Sequence, residues 1–294
     1  MEIIRSRYAG LKNYMNRKIF IWLISPTLLF LLVIQIYPSL YSWYLSFGKI
    51  KGGVYTFVGL KNFVRLLNNS DFYESLARTG VFTFSFLIAC IGLGLIVALL
   101  LSRCSRFTAI YMTIIFIPMV LSEVVSGTMW RWMFQQSFGL VQAFLNPFIN
   151  NVSILSKPWG AMAVVIAASV WKQLAFTALL FLGALQTVPK ELFESASLDG
   201  ASKSEMFWKI TWVIIRPTVL LASIMTTIRG INALGLILAT TQGGPGASTM
   251  TEAVLLYRTA WQFGRFGDAA ALSVMMFLIN ITLGIVYIRL MKNH

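Results

Sequence analysis

Residues 188–217 read Val188-Pro189-Lys190-Glu191-Leu192-Phe193-Glu194-Ser195-Ala196-Ser197-Leu198-Asp199-Gly200-Ala201-Ser202-Lys203-Ser204-Glu205-Met206-Phe207-Trp208-Lys209-Ile210-Thr211-Trp212-Val213-Ile214-Ile215-Arg216-Pro217. Four of the ten acidic residues of the chain lie here, Glu191, Glu194, Asp199 and Glu205, beside four basic ones. Pro189 suits a helix start, and acids in the first turn favour its positive end. Gly200 suits its stop. The pattern predicts a short helix over about Lys190 to Asp199, a turn, and a second helix. Leu192, Phe193 and Ala196, then Met206, Phe207 and Ile210, supply apolar contacts. The stretch reads as a folded amphipathic element, and a short helix of this kind can dock in a groove of a partner.

The sequence on either side is of another kind. The 294 residues are 57% hydrophobic and 12% charged, with a mean hydropathy of +0.75. Soluble domains are about half apolar and a quarter charged. An ordinary soluble enzyme is therefore excluded, and so is disorder, which needs low hydrophobicity. The net charge of +14 sits in residues that flank apolar runs, which points to a membrane and not to nucleic acid.

A membrane-spanning helix needs about 20 mostly apolar residues. Ile19 to Gly48 carries no charge and follows Arg5, Arg7, Lys12, Arg17 and Lys18. The run is too long for a signal peptide, and no small-residue cleavage site follows. Tyr37, Tyr41, Trp43 and Tyr44 suit an interfacial belt. The first span is predicted over 19–47, after a basic tail (1–18) and before an outer loop (48–78). Five further spans make a core over 75–288, at about 79–102, 108–134, 159–186, 218–240 and 269–288, with residues 187–217 between the fourth and fifth of the six. Gly94 and Ala98 form a small-xxx-small pair that permits close helix contact. Six spans put both termini on one side. Thirteen basic residues fall on that side and eight on the other, which places both termini in the cytoplasm. Residues 241–250, rich in Gly and Thr around Pro245, break any helix.

Chemistry is constrained by what is missing. His294 is the only histidine, and Cys90 and Cys104 are the only cysteines. Neither a zinc site nor histidine catalysis is available. Gly243-Gly244-Pro245-Gly246 has no Gly-Lys-Ser/Thr after it, so no phosphate cradle is read there. No metal site and no enzymatic activity are expected.

Glu123, Lys172 and Arg229 fall near the middle of spans. Each costs roughly 2.5–3.5 kcal/mol at a helix centre on the insertion scale, so they should face the interior, water or one another. Two readings stay open. One is structural: an ion pair of Glu123 with Lys172 or Arg229, or a misplaced span, since long basic side chains can reach an interface. The other is a substrate path shared with Trp171, Gln173 and Asn232, since aromatic and amide groups suit the apolar faces and hydroxyls of sugars. Two cations against one acid leave an acidic sugar or phosphorylated polyol open as the solute.

At residues 194–210 the sequence resembles the permease subunits of carbohydrate-type, binding-protein-dependent ABC importers. Their cytoplasmic signature is Glu-Ala-Ala, three residues, Gly, nine residues, Ile, one residue, Leu-Pro. Glu194, Ala196, Gly200 and Ile210 match at that spacing, and Asp199-Gly200-Ala201 matches the usual extension; Ser195, Trp212 and Val213 depart from it. Gly243-Gly244-Pro245, Thr251-Glu252, Tyr257-Arg258, Trp261 and Gly267 are similar to the carbohydrate-type pattern before the last span. So are Trp130-Arg131-Trp132, Phe138-Gly139-Leu140 and Trp171-Lys172. The resemblance covers roughly residues 19–291.

It implies an all-α, six-helix integral membrane protein with the type I ABC importer permease fold. The implied partners are a second, non-identical permease, two ATPase subunits and an extracytoplasmic solute-binding protein, with a sugar as substrate. No cofactor would bind this chain; ATP and Mg would sit in the ATPase. The implied coupling residues are Glu194, Ser195, Ala196, Asp199, Gly200, Ala201 and Ile210, and the implied location is a bacterial or archaeal plasma (inner) membrane. A secondary transporter is the competing class. Its usual paired helix interruptions are not found.

Overall fold

The computed structural model describes residues 22–103, 108–149 and 152–292. The basic tail, residues 19–21 of the first predicted span, Cys104, Arg106 and His294 lie outside the described residues. Helices dominate. Among the described residues five are long and apolar enough to cross a membrane, or six if one bent pair is counted as a span.

Helix α1 (Trp22–Ser46) presents large apolar side chains along its length. Its second half leans on the last helix, where the rings of Trp43 and Phe277 meet edge to face at 6.2 Å. The belt residues Tyr37, Tyr41 and Tyr44 stack in succession, and Tyr44 continues onto Tyr55 at 4.4 Å. The predicted outer loop is partly ordered structure. A hairpin, β1 (Gly48–Lys51) and β2 (Val54–Phe57), pairs Gly48 with Phe57 and Lys51 with Val54. Its two turn residues, Gly52 and Gly53, have φ of 59° and 80°, the left-handed pair a tight hairpin turn requires. Helix α2 (Lys61–Leu67) follows. Its Asn62 side chain donates to the carbonyls of Ser46 (2.9 Å) and Gly48 (2.8 Å), which closes the otherwise unpaired end of α1.

Helix α3 (Ser70–Arg103) has 34 residues. At about 1.5 Å per residue it is roughly 50 Å long, well beyond a ~30 Å hydrocarbon layer. Much of the excess is its charged start, with Asp71, Glu74 and Arg78. Helix α7 (Pro158–Gln186) lies against α3. At Gly94 a Cβ would stand 2.5 Å from Thr177 Oγ1, so the close approach of these helices depends on glycine there.

The predicted third span is not one helix. It divides into α4 (Thr108–Val120) and α5 (Glu123–Met133), bent by 97°. Pro118 removes a backbone donor from the last turn of α4. Ser122 then starts α5 by accepting the Val125 N–H at 3.2 Å. After α6 (Leu140–Ile149) and α7 comes α8 (Lys190–Leu198).

The predicted fifth span is also corrected. Helix α9 runs Lys203–Ile231, so the second helix of the 187–217 stretch continues into the membrane without a break. It opens on a capping box between Ser202 and Glu205. It stops at Ile231, before the predicted end, and residues 235–240 form a separate short helix, α10 (Gly235–Thr240). This helix packs under α5, where the Thr240 hydroxyl, which donates to the Leu236 carbonyl at 2.8 Å, lies 3.3 Å from the Gly127 carbonyl. The breaker cluster makes a turn with Gly243 and Gly246 at positive φ, tied by the Thr241 and Thr249 hydroxyls at 2.7 Å. Helices α11 (Glu252–Tyr257) and α12 (Phe266–Lys292) complete the chain.

Two larger apolar cores and three smaller clusters form among the described residues. One larger core gathers Phe82, Met162, Val165, Ala168, Ile237 and Val254; the other gathers Ala98, Phe181, Leu182, Ile215 and Ala222. Helix α7 contributes to both. The stretch of α7 between them carries Lys172 and Gln173.

Candidate functional site

Between the two cores lies a cavity of about 260 Å³, lined among others by Glu123, Lys172, Gln173, Arg229 and Asn232. Five of the six residues read as a substrate path are thus brought together, from α5, α7, the last turn of α9 and the break after it. Trp171 is the exception. It does not line the cavity and instead meets the ring of Trp130 at 5.9 Å. Adjacent helix residues lie about 100° apart around the axis, and only one side of Lys172 faces the opening. Phe82, Phe86 and Ser169 also line it. Sequence reading missed these, because an aromatic or a serine in an apolar run carries no cost that marks it.

The ionisable groups are held in unlike ways. The Lys172 ammonium donates to the backbone carbonyls of Met119 (3.4 Å) and Leu121. These carbonyls belong to the broken end of α4, where the turn into α5 has left them without helical partners. Lys172 is therefore, at least in part, a clamp on the bend. The Arg229 guanidinium donates to Gln173 Oε1 at 2.9 Å and lies 5.3 Å above the Phe176 ring. Glu123 takes part in none of the ion pairs found among the described residues. Its carboxylate lies against Gly235, where a Cβ would come within 2.6 Å of Oε2. The direct ion pair of Glu123 with Lys172 or Arg229 is not formed. Among the residues that line the cavity one buried polar group is left over. Gln173 is 4% exposed, and its Nε2 has no hydrogen-bond partner among the described residues. Buried amide donors are normally paired.

The second group of predicted residues surrounds α8. The Ala201 N–H donates to the Ala196 carbonyl at 2.9 Å, the Gly200 N–H to Ser197 at 3.2 Å, and Gly200 has φ of 77°. This is the paired Schellman closure, which places glycine just past the helix end. Glu194, Ser195 and Asp199 are exposed, while Ala196 and Ala201 are half-buried. Ile210 stands apart from them. It lies in the wide helical turns Phe207–Thr211 and packs against the core around Ala98 and Ile215. Leu198, at the tip of α8, is 90% exposed. It was not singled out from sequence, because a leucine at the end of an amphipathic helix is unremarkable until its surroundings are known.

A bundle of apolar helices with a polar cavity and an exposed amphipathic helix at one end is the architecture that comparison with known proteins places. The likeness to solved structures gives the fold its type. It matches a bacterial ABC transporter involved in the import of the acidic polysaccharide alginate with a TM-score of 0.84 at 19% identity, over 96% of this chain and 98% of that one. The chain belongs to the family of binding-protein-dependent transport system inner membrane components, whose pattern matches residues 90–294. It is similar to the trehalose/maltose transport system permease protein MalF of Thermococcus litoralis, at 30% identity over 94% of this chain and 95% of that protein. It is also 30% identical to the sn-glycerol-3-phosphate transport system permease protein UgpA of Agrobacterium fabrum, over 89% and 90% of the two chains. The protein is accordingly a multi-pass transport subunit with the type I permease fold, and not itself an enzyme.

Proposed function

We propose that this chain forms half of the translocation path of an ATP-driven importer for a sugar or oligosaccharide. A second, non-identical permease forms the other half. A solute-binding protein delivers the substrate outside, and two ATPase subunits, which hold the ATP and Mg, work at α8. The chain lies in a bacterial or archaeal plasma (inner) membrane with both termini in the cytoplasm.

The observation that carries the substrate reading is the unpaired Gln173 Nε2 on the wall of the cavity. A buried amide donor between two charged side chains suits a ligand rich in hydroxyl acceptors. The volume agrees with a shared path. About 260 Å³ is below the ~300–1,000 Å³ usual for a complete small-molecule site, as half of a cavity should be. The relatives named for trehalose, maltose and glycerol phosphate support a polyhydroxylated solute. The two cations on the same wall favour an acidic sugar or phosphorylated polyol as the second reading.

Uptake of labelled oligosaccharides by the assembled importer in liposomes tests this. Gln173→Leu should lower uptake about tenfold, the scale of one buried hydrogen bond to a charged or polar ligand, while ATP hydrolysis in the absence of substrate continues. Full uptake by this variant would remove Gln173 from the path. If uptake survives Arg229→Gln with a neutral sugar and is lost with its uronic acid, the second reading holds.

At α8 the exposed Glu194 and Asp199 and the tip residue Leu198 are the surface offered to the ATPase. Gly200 shapes that surface by ending the helix. Ile210 anchors the second helix to the membrane core, so that a push on α8 is passed to α9.

A further inference from the structure

The end of the molecule that carries α8 holds a second cavity, of about 340 Å³. Its walls come from four helices that meet there: Leu99 from α3, Leu185 from the end of α7, Phe193 from α8, and Phe207 from α9. Two basic residues line the same space, Arg103 at the end of α3 and Lys203 at the start of α9. Both are exposed, and neither makes an ion pair among the described residues. The nearest acid in sequence to Lys203 is engaged elsewhere: the Glu205 carboxylate accepts from the Ser202 backbone and hydroxyl, both at 3.0 Å, and pairs with Lys209 at 3.2 Å.

We infer that this cavity is a binding site for an anionic phospholipid of the inner leaflet. Its phosphate would lie between Arg103 and Lys203, and the upper part of an acyl chain against Leu99, Leu185 and Phe193. The location follows from the orientation proposed above. The Arg103 end of α3 emerges where its apolar run ends, at the depth of the headgroups. Basic pockets between membrane helices on the cytoplasmic side suit such headgroups. Apolar walls below two unpaired cations match an amphiphile and not a free anion, which would leave the apolar surface empty. Because one wall is α8 itself, an occupied cavity would stiffen the seat of that helix against the bundle.

The test measures lipid binding directly and so does not depend on transport or on the identity of the sugar. The full chain, purified in a neutral detergent with its partner subunits, is titrated with phosphatidylglycerol, with phosphatidylcholine and with inorganic phosphate, and bound lipid is counted by native mass spectrometry. Phosphatidylglycerol should be retained at least about tenfold more tightly than phosphatidylcholine, on the scale of two basic contacts. Inorganic phosphate should not compete. The pair Arg103→Gln with Lys203→Gln should abolish the preference, and the pair Arg103→Lys with Lys203→Arg should keep it. Leu185→Trp, which fills the apolar part and leaves both charges in place, should also displace the lipid. Arg289→Gln, which does not line the cavity, should change nothing. Equal retention of the two lipids, a preference that survives loss of both cations, or displacement by inorganic phosphate would each overturn the assignment.

Discussion

Single residues carry much of this structure because each solves a local problem that no neighbour solves. Gly200 is one. It ends α8 at a φ of 77°, where a side chain costs roughly 1–2 kcal/mol. Gly200→Ala should therefore fray α8 and lower the protection of the Gly200 and Ala201 amides in hydrogen exchange, while the membrane helices keep theirs. Glu252 is another. It lies in α11, outside the spans, is fully buried, and neither carboxylate oxygen has a partner among the described residues. Burial raises its pKa from 4.5 to about 7. Between those values the folded chain keeps a proton that the unfolded chain has lost, so stability falls as pH rises through that window. The loss is on the order of 3 kcal/mol at about 1.4 kcal/mol per pKa unit. The melting temperature in detergent should drop between pH 5 and pH 8, and Glu252→Gln should flatten that dependence. An equal slope in both proteins would mean the buried carboxyl is not its source.

At the scale of elements, the decisive features are the places where helices break or touch. The contact between α3 and α7 rests on Gly94 facing Thr177. Gly94→Val should destabilise by about 1–3 kcal/mol, the usual cost of overpacking, and Thr177→Ala should restore part of it. The bend between α4 and α5 is held by Lys172. Lys172→Met leaves two carbonyls without their charged donor and should cost about 1–3 kcal/mol in thermal unfolding, while Lys172→Arg should recover most of it. Were Lys172→Met neutral for stability and damaging for uptake alone, its role would lie with the solute and not with the bend.

The elements also show what the sequence made legible. Long uncharged runs such as Thr79–Ser102 could be read as spans, because lipid admits few charges over that length. The bend at Leu121 could not. Pro118 was visible, but prolines occur in helices that bend only slightly, and the direction of the chain after it depends on α10 packing against Gly127. The second helix of the 188–217 stretch was legible, but its continuity with the fifth span was not: Lys203, Glu205 and Lys209 mark a cytoplasmic element, yet one helix runs from Lys203 to Ile231. At the cavity, Glu123, Lys172 and Arg229 were conspicuous because a charge inside an apolar run is costly. Trp171 was conspicuous too, but it faces Trp130. No sequence pattern reveals on which side of a helix the opening will lie until the neighbouring helices are in place.

Among the described residues, a polar cavity lies between the two larger apolar cores, and an exposed short helix stands at one end. That division suits a machine in which force applied at one end changes access to the middle. Closing of the ATPases would press on α8, and the anchorage of Ile210 in the inner core would carry the movement into α9, whose other end bears Arg229. Rocking of such a bundle around a fixed site is a familiar route to alternating access. The family membership defines the transport role. The coupling of α8 to an ATPase is the central claim, and one measurement bears on it most directly. The wild-type chain, Gly200→Arg and Glu194→Lys are each purified in mild detergent after expression with their partner subunits, and the retained chains are identified by mass spectrometry. The account predicts that the wild type retains an ATPase and a second permease, and that both variants lose the ATPase while keeping the second permease. Retention of the ATPase by both variants at wild-type levels would contradict it.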